Sequence, residues 1–70
     1  MRVKHAKFTT LFEYTTAEVF FWNGQQVTLN LKNDEIYSLT LPDLPDCLEY
    51  ERLAKEFVFA ELTKGMNNDS

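Results

Sequence analysis

The chain has 70 residues and a mass of 8.2 kDa, which allows one domain and excludes the large core and deep cleft of most enzymes. Its 7 Lys and Arg residues against 11 Asp and Glu residues give a formal net charge of −4, and an isoelectric point of about 4.8 disfavours nucleic acid as a partner. We expect residues 1–64 to form the domain and residues 65–70 to form a disordered tail.

The N-terminal segment and the single cysteine indicate the compartment. Residues 1–7 are charged where a signal peptide would be apolar, and no apolar run approaches the ~20 residues of a membrane-spanning helix. Cys47 has no second cysteine with which to form a disulfide, although small secreted domains usually need disulfides. We therefore expect a soluble cytoplasmic protein that makes no membrane contact.

The first predicted strand covers residues 7–14, which are rich in threonine and aromatic side chains. Thr15 and Thr16 are predicted to form the turn that follows it. Thr10 and Glu13 also have the spacing of a helix capping box, so a helix remains an alternative over residues 8–16. The sequence thus predicts three or four strands, depending on this segment.

Asn23-Gly24 between two β-rich segments predicts a hairpin over residues 18–31, because both residues tolerate the positive φ of a type I′ turn. A two-residue loop pairs Phe20 with Val27. The face predicted to meet the core then carries Phe20, Trp22, Val27, Leu29 and Leu31. The same register places Phe21 on the outer face.

Alternation of apolar and polar residues over positions 36–41 predicts the next strand. Matching the leucine faces pairs Leu29 with Leu39 and Leu31 with Tyr37, which places Tyr37 in the core. This register needs a loop longer than two residues before the strand, because a tight turn there would misalign the two faces.

A helix is predicted to begin at Asp46 and to end before Gly65. Asp46 and Glu49 have the spacing of an N-cap residue and the third helical residue, and glycine is a common helix stop. The apolar stripe predicted to pack on the sheet comprises Cys47, Tyr50, Leu53, Ala54, Phe57 and Val58. The predicted fold class is α+β, an antiparallel β-meander of three to four strands packed on one C-terminal α-helix (ββββα).

The sequence offers little catalytic chemistry. His5 is the only histidine and lies in the basic N-terminal segment, and Cys47 falls on the predicted core stripe. No Cys and His residues have zinc-ligand spacing, and no glycine-rich phosphate loop is present. The acids of residues 43–51 are explained by helix capping and lack the pattern of a calcium loop. We expect no catalytic residue, no metal, no cofactor and no enzymatic activity.

Three surface features favour a non-catalytic protein-binding module. Aromatic residues make up 14% of the chain, and residues 33–70 are acidic. The helix also has a second apolar flank at Leu48, Phe59 and Leu62, which either the first strand covers or a partner contacts. The candidate partner-binding residues are Phe21, Leu48, Phe59, Leu62, Asp43, Asp46, Glu49, Glu51 and Glu56. We expect a small inhibitor, adaptor or accessory subunit of a larger protein, of the kind that phages and mobile elements encode, with a homodimer as a further arrangement.

Single-stranded nucleic-acid binding is the alternative function. Aromatic side chains on an open sheet face can stack bases, and the basic N-terminus can hold phosphates. The residues that would serve it are Arg2, Lys4, Lys7, Phe8, Phe12, Tyr14 and Phe21. The acidic isoelectric point weighs against this function.

Overall fold

A computed structural model gives the fold, and it describes the backbone of residues 1–67 and the side chains of residues 1–64. Its elements are β1 (Val3–Leu11), β2 (Tyr14–Phe21), β3 (Gln26–Lys32), β4 (Glu35–Thr40) and α1 (Cys47–Asn67). The four antiparallel strands form one open sheet in the order β1-β2-β3-β4, and the helix packs on one of its faces. The predicted ββββα fold class is confirmed.

The β1–β2 hairpin begins and turns earlier than predicted. Leu11 pairs with Tyr14 across a two-residue turn formed by Phe12 and Glu13, so the expected turn residues belong to β2. The helical alternative for this segment is wrong, because its threonine and aromatic side chains suit a pleated strand. Val3 packs against the core, and the basic N-terminal segment is therefore part of the sheet.

The β2–β3 turn differs by one residue from the predicted two-residue loop. The Phe21 N–H donates to the Gln25 carbonyl at 2.9 Å, and the Gly24 N–H donates to the Phe21 carbonyl at 3.0 Å. This is the pattern of a three-residue loop that ends in a glycine bulge, and Gly24 has the positive φ of 89° that such a loop requires. The resulting register pairs Val19 with Val27.

The one-residue shift exchanges the two faces of β2 relative to the prediction. The core face carries Ala17, Val19 and Phe21, all of them buried. Phe21 is 2% exposed, so its predicted place on the outer face is wrong. Phe20 and Trp22, expected in the core, lie outside it, and Trp22 is 63% exposed. The observed register also keeps the Glu18 carboxylate out of the core, where burial would be costly.

The β3–β4 hairpin has the predicted pairing of Leu29 with Leu39 but a different turn. Asn33 and Asp34 form a tight two-residue connection with φ values of 52° and 66°. Asn and Asp tolerate this left-handed conformation better than other side chains do. The longer loop expected here is therefore wrong.

A β-bulge reconciles the tight turn with the matched leucine faces. The register shifts after Asn30, so that Leu31 lies opposite Ile36 and not opposite Tyr37. Tyr37 becomes the extra residue of the bulge and is 60% exposed, which corrects its predicted place in the core.

Helix α1 begins at Cys47, directly after the predicted cap residue Asp46. The Asp46 carbonyl accepts hydrogen bonds from the N–H groups of Glu49 at 3.0 Å and Tyr50 at 3.5 Å, which starts the helical ladder. The helix continues through Gly65 to Asn67, so the predicted end is wrong. Of the predicted disordered tail, residues 68–70 lie outside the described residues.

The hydrophobic core lies between the helix and the first three strands. Its buried residues are Ala17, Val19, Phe21, Val27, Leu29, Leu31, Tyr50, Ala54 and Val58. The three helical members recur every four residues and form one narrow stripe. Because the helix covers one face of the sheet, the other face is left open across all four strands.

Candidate functional site

The core uses few of the aromatic side chains. Phe21 and Tyr50 are buried and pack edge to face, with ring centroids 4.9 Å apart. The other buried side chains of the core are aliphatic. The exposed rings are Phe8, Phe12, Tyr14, Trp22, Tyr37 and Phe59. The aromatic surplus is therefore a property of the surface, where large apolar groups mark contact sites when they cluster.

Such a cluster lies at the β1–β2 turn, and we name it the tip patch: Leu11, Phe12, Tyr14 and Tyr37. Leu11 and Tyr14 are cross-strand partners that flank the turn. The Tyr14 ring meets the Tyr37 ring edge to face at a centroid distance of 6.0 Å. The patch thus joins side chains of β1, β2 and β4 into one apolar surface at the end of the sheet.

Phe12 is the most exposed member of the tip patch, at 87%. Its φ of 56° lies in the left-handed region, which for a side chain other than glycine costs roughly 1 kcal/mol. The neighbouring Glu13 carbonyl accepts a hydrogen bond of 2.9 Å from the Asn33 N–H, which ties this turn to the β3–β4 turn. The fold thus displays a large ring in solvent on a strained backbone.

The predicted second flank of the helix is divided in two by the structure. Leu48 is 72% exposed and Phe59 is 39% exposed. At 1.5 Å rise per residue they lie ~16 Å apart along the helix, so they form no single patch. Leu62 is half-buried against the core and stands one turn from Phe59.

Leu62 also lines an open cavity of about 270 Å³ between the sheet and the end of the helix. The other lining residues are Phe8, Thr10, Thr15 and Glu61. The two threonine hydroxyl groups lie 3.3 Å apart and form a hydrogen bond across β1 and β2. We name this space the flank cavity; it opens beside β1, the edge strand of the sheet.

Three of the predicted acidic contact residues are engaged within the helix. Arg52 bridges Glu49 and Glu56, and the Lys55 ammonium lies 2.7 Å from the Glu51 carboxylate. The hydrogen bond and charge of Glu49, with the charge of Glu56, raise the pKa of Arg52 above its ordinary value. These pairs, of which Lys55–Glu51 is half-buried, neutralise much of the acidic helix face locally. The remaining two candidates, Asp43 and Asp46, are exposed before the helix.

The open face of the sheet combines rings with basic groups. His5 stacks on Phe20 at a centroid distance of 4.7 Å, and the Lys32 ammonium lies 5.6 Å from the centre of the Tyr14 ring. Lys7 shares this face opposite Glu18. Between them, polar residues cover the middle of the face, where the Thr16 hydroxyl donates to the Asn30 amide oxygen.

His5 and Cys47, the two residues considered for catalysis, lie in different elements of the fold, β1 and α1. His5 is taken up by its stack on Phe20, and Cys47 is a half-buried free thiol at the start of the helix. Within residues 1–67, no three His, Cys, Asp or Glu side chains lie close enough to hold a metal ion. In the same part of the chain, no helix has the length and apolar character needed to cross a bilayer.

Sequence reasoning missed three exposed residues of interest: Leu11, Trp22 and Tyr37. The sequence does contain a signal for Trp22, because the face of β2 predicted to meet the core, which carries Phe20 and Trp22, would also bury Glu18. The exposure of Tyr37 depends on the β-bulge, and no local sequence pattern predicts that bulge. Comparison of the chain with protein-family models, with curated proteins and with solved structures finds no match.

Proposed function

We propose that this chain is a non-catalytic protein-binding module, a small inhibitor, adaptor or accessory subunit of a larger protein. The observation that carries the proposal is the tip patch, in which four large apolar side chains stand exposed at one end of the sheet and outside the buried core. Aromatic anchors of this kind supply most of the binding energy at protein interfaces.

The backbone of Phe12 supports the proposal together with its exposure. A solvent-exposed phenylalanine on a left-handed backbone contributes nothing to the core and destabilises its own turn. Glycine or asparagine would suit this position better. A residue that violates a local folding rule without a packing gain is expected where function selects it.

The charges of the chain add an electrostatic contribution. The helix and the segment before it carry six of the 11 acids, so a partner with a basic surface is favoured, and long-range attraction speeds its association. Since Glu49, Glu51 and Glu56 are paired within the helix, their contribution is smaller than that of isolated carboxylates. We assign the short-range energy to the tip patch and the steering to the acidic segment.

The test is affinity capture of partners from a cell lysate by the tagged full chain and two variants. Phe12→Asn removes the ring and suits the left-handed backbone, so the variant folds at least as stably as the wild type. Trp22→Asn is the matched control, because it removes an exposed ring from the other end of the sheet. We expect the wild type and Trp22→Asn to capture the same protein and Phe12→Asn to lose it.

Equal capture by the wild type and Phe12→Asn would contradict the assignment to the tip patch, and the absence of any specific partner would contradict the function. Circular dichroism and thermal unfolding of the three proteins verify that each is folded. Light scattering of the isolated chain shows whether the captured protein is a second copy. A homodimer requires a mass near twice 8.2 kDa.

The open sheet face favours a second candidate function, the binding of single-stranded nucleic acid. His5 on Phe20 and Lys32 beside Tyr14 place rings and cations on the same face, as base stacking and phosphate contact require. Fluorescence anisotropy with a short oligothymidylate at low salt tests it. Binding that weakens steeply with salt supports it, and an unchanged anisotropy removes it.

A further inference from the structure

β1 is a long, basic and unprotected edge of the sheet. It extends over nine residues and, within residues 1–67, pairs with β2 alone. The first eleven residues of the chain contain three basic side chains, Arg2, Lys4 and Lys7, and no acid. A strand at the edge of a sheet presents backbone N–H and C=O groups to which another chain can add.

The hydrogen-bond pattern identifies the outward-facing groups of this edge. The Phe21 N–H donates toward β3, so alternate residues of β2, down to Tyr14, direct their amides toward β1. Tyr14 is the partner of Leu11, and alternation along β1 then leaves three residues with N–H and C=O groups that point away from β2. These residues are Ala6, Phe8 and Thr10.

An added strand would pass two different surfaces on its two sides. On the helix side it would run beside the flank cavity, whose wall includes Phe8 and Leu62. On the open side it would run beside Lys7. The partner of Lys7 on β2 is Glu18, and the added strand would supply its neighbour on the other side. Because strand side chains alternate, a fitting segment alternates apolar residues toward the cavity with acidic residues toward the lysine.

We propose that β1 accepts an extended acidic segment of a partner protein, which adds as a fifth strand and alternates apolar with acidic side chains. This inference rests on the proposed protein-binding function and names how the partner is held. A second copy of β1 does not fit, because it would place basic side chains against basic side chains. A nucleic-acid strand lacks the backbone amides that complete the ladder.

The probe is a nine-residue peptide of alternating Glu and Val with blocked termini, added to the full chain at low salt. Binding is followed by amide hydrogen exchange in NMR spectra. We expect the amides of Ala6, Phe8 and Thr10 to gain protection, because the new ladder uses them. The amides of Lys7 and Thr9 already face β2 and should change little.

Two modified peptides separate strand addition from simple charge attraction. A peptide N-methylated at alternate residues keeps its charge but cannot complete the ladder, and we expect its affinity to fall by at least about tenfold. A peptide of alternating Lys and Val keeps its backbone but reverses the charge, and we expect it not to bind. Equal binding by the parent peptide and either modified peptide would overturn the inference, as would tighter binding of an oligothymidylate at the same edge.

Variants of the chain test the charged contact. Lys7→Gln should weaken binding of the Glu and Val peptide about two- to fivefold, and more at low salt than at high salt. Lys64→Gln makes the same charge change on the helix and should leave the affinity unchanged. If no peptide binds while partner capture still depends on Phe12, this inference fails and the proposed function stands. If the wild type captures no partner, the proposed function itself fails.

Discussion

The two ends of the sheet are built by opposite rules. At one end, the β2–β3 turn (residues 22–24) has glycine at its positive φ, and its asparagine side chain both donates and accepts a hydrogen bond. The Asn23 amide donates to the Tyr50 hydroxyl at 2.7 Å and its oxygen accepts from the Gln25 N–H at 3.1 Å. At the other end, the β1–β2 turn places Phe12 at a positive φ and leaves its ring in solvent.

The difference separates residues that stabilise the fold from residues that the fold exposes to solvent. The β2–β3 turn ties the sheet to the start of the helix, and Lys4 covers the exposed Trp22 ring at 5.2 Å. Among the described residues, no hydrogen bond links the tip patch to the helix. Exposed rings thus occur at both ends, but Phe12 of the tip patch has no ring or cation contact among the described residues, unlike Tyr14 and Tyr37.

The largest expected effect contrasts two phenylalanines at the opposite ends of β2. Phe21→Ala removes a buried ring that packs on Tyr50 and should destabilise the protein by about 3–5 kcal/mol, most of the stability of so small a domain. Phe12→Ala should change the free energy of unfolding by less than about 0.5 kcal/mol, because the ring is exposed. Urea denaturation followed by circular dichroism measures both.

A milder variant keeps this contrast measurable if Phe21→Ala does not fold. Phe21→Leu should cost about 1–2 kcal/mol, because it leaves a smaller cavity beside Tyr50. Similar destabilisation by Phe21→Leu and Phe12→Ala would show that the tip patch is structural and that the two ends are not opposed.

The second effect contrasts the backbones of the two turns. Gly24→Ala should destabilise the protein by about 1 kcal/mol, because alanine is strained at φ 89° although the space around Gly24 is open. Phe12→Gly should stabilise it by about 0.5–1 kcal/mol, since it relieves the same strain at φ 56°. Thermal unfolding of the two variants gives both signs, and destabilisation by Phe12→Gly would contradict the strain argument.

The fold class was predictable because most of its elements carry a strong local pattern. Alternation in the strands, Asn-Gly between two of them, and the prolines before a capped helix predict the meander and its helix, while the helical alternative for residues 8–16 leaves three or four strands. The face of β2 was harder, because Val19-Phe20-Phe21-Trp22 is apolar on both sides. The three-residue loop, in place of the predicted two-residue loop, determines which face of β2 meets the core. Glu18 is the side chain that distinguishes the two faces, because only one of them keeps its carboxylate out of the core.

The candidate site was predictable only in part, since its position depends on turns and bulges. Helical spacing places Leu48 and Phe59 on the second flank of the helix, but whether the first strand covers them could be read only from the structure, which leaves both exposed. The tip patch did not follow from spacing, because the turn was expected at Thr15 and Thr16 and the bulge at Tyr37 was not foreseen. Functions of the predicted contact residues remain predictions that partner capture can test.

The smallest expected effect concerns the single side-chain hydrogen bond that ties the β2–β3 turn to the helix. Tyr50→Phe keeps the ring in its place against Phe21 but removes the hydroxyl that accepts from the Asn23 amide. We expect a loss of about 0.5–1 kcal/mol, because Asn23 is exposed and water can replace the lost acceptor. Asn23→Ala removes the same bond from the other side and also the internal turn contact to Gln25, so it should cost more.

The Tyr50→Phe, Asn23→Ala and double variants form a thermodynamic cycle, measured by urea denaturation, that isolates the energy of this bond. A coupling energy near zero would mean that the β2–β3 turn is held by its own residues and not by the helix. In that case the two ends of the sheet would differ in backbone strain alone, and the strained turn at Phe12 would be their only real distinction.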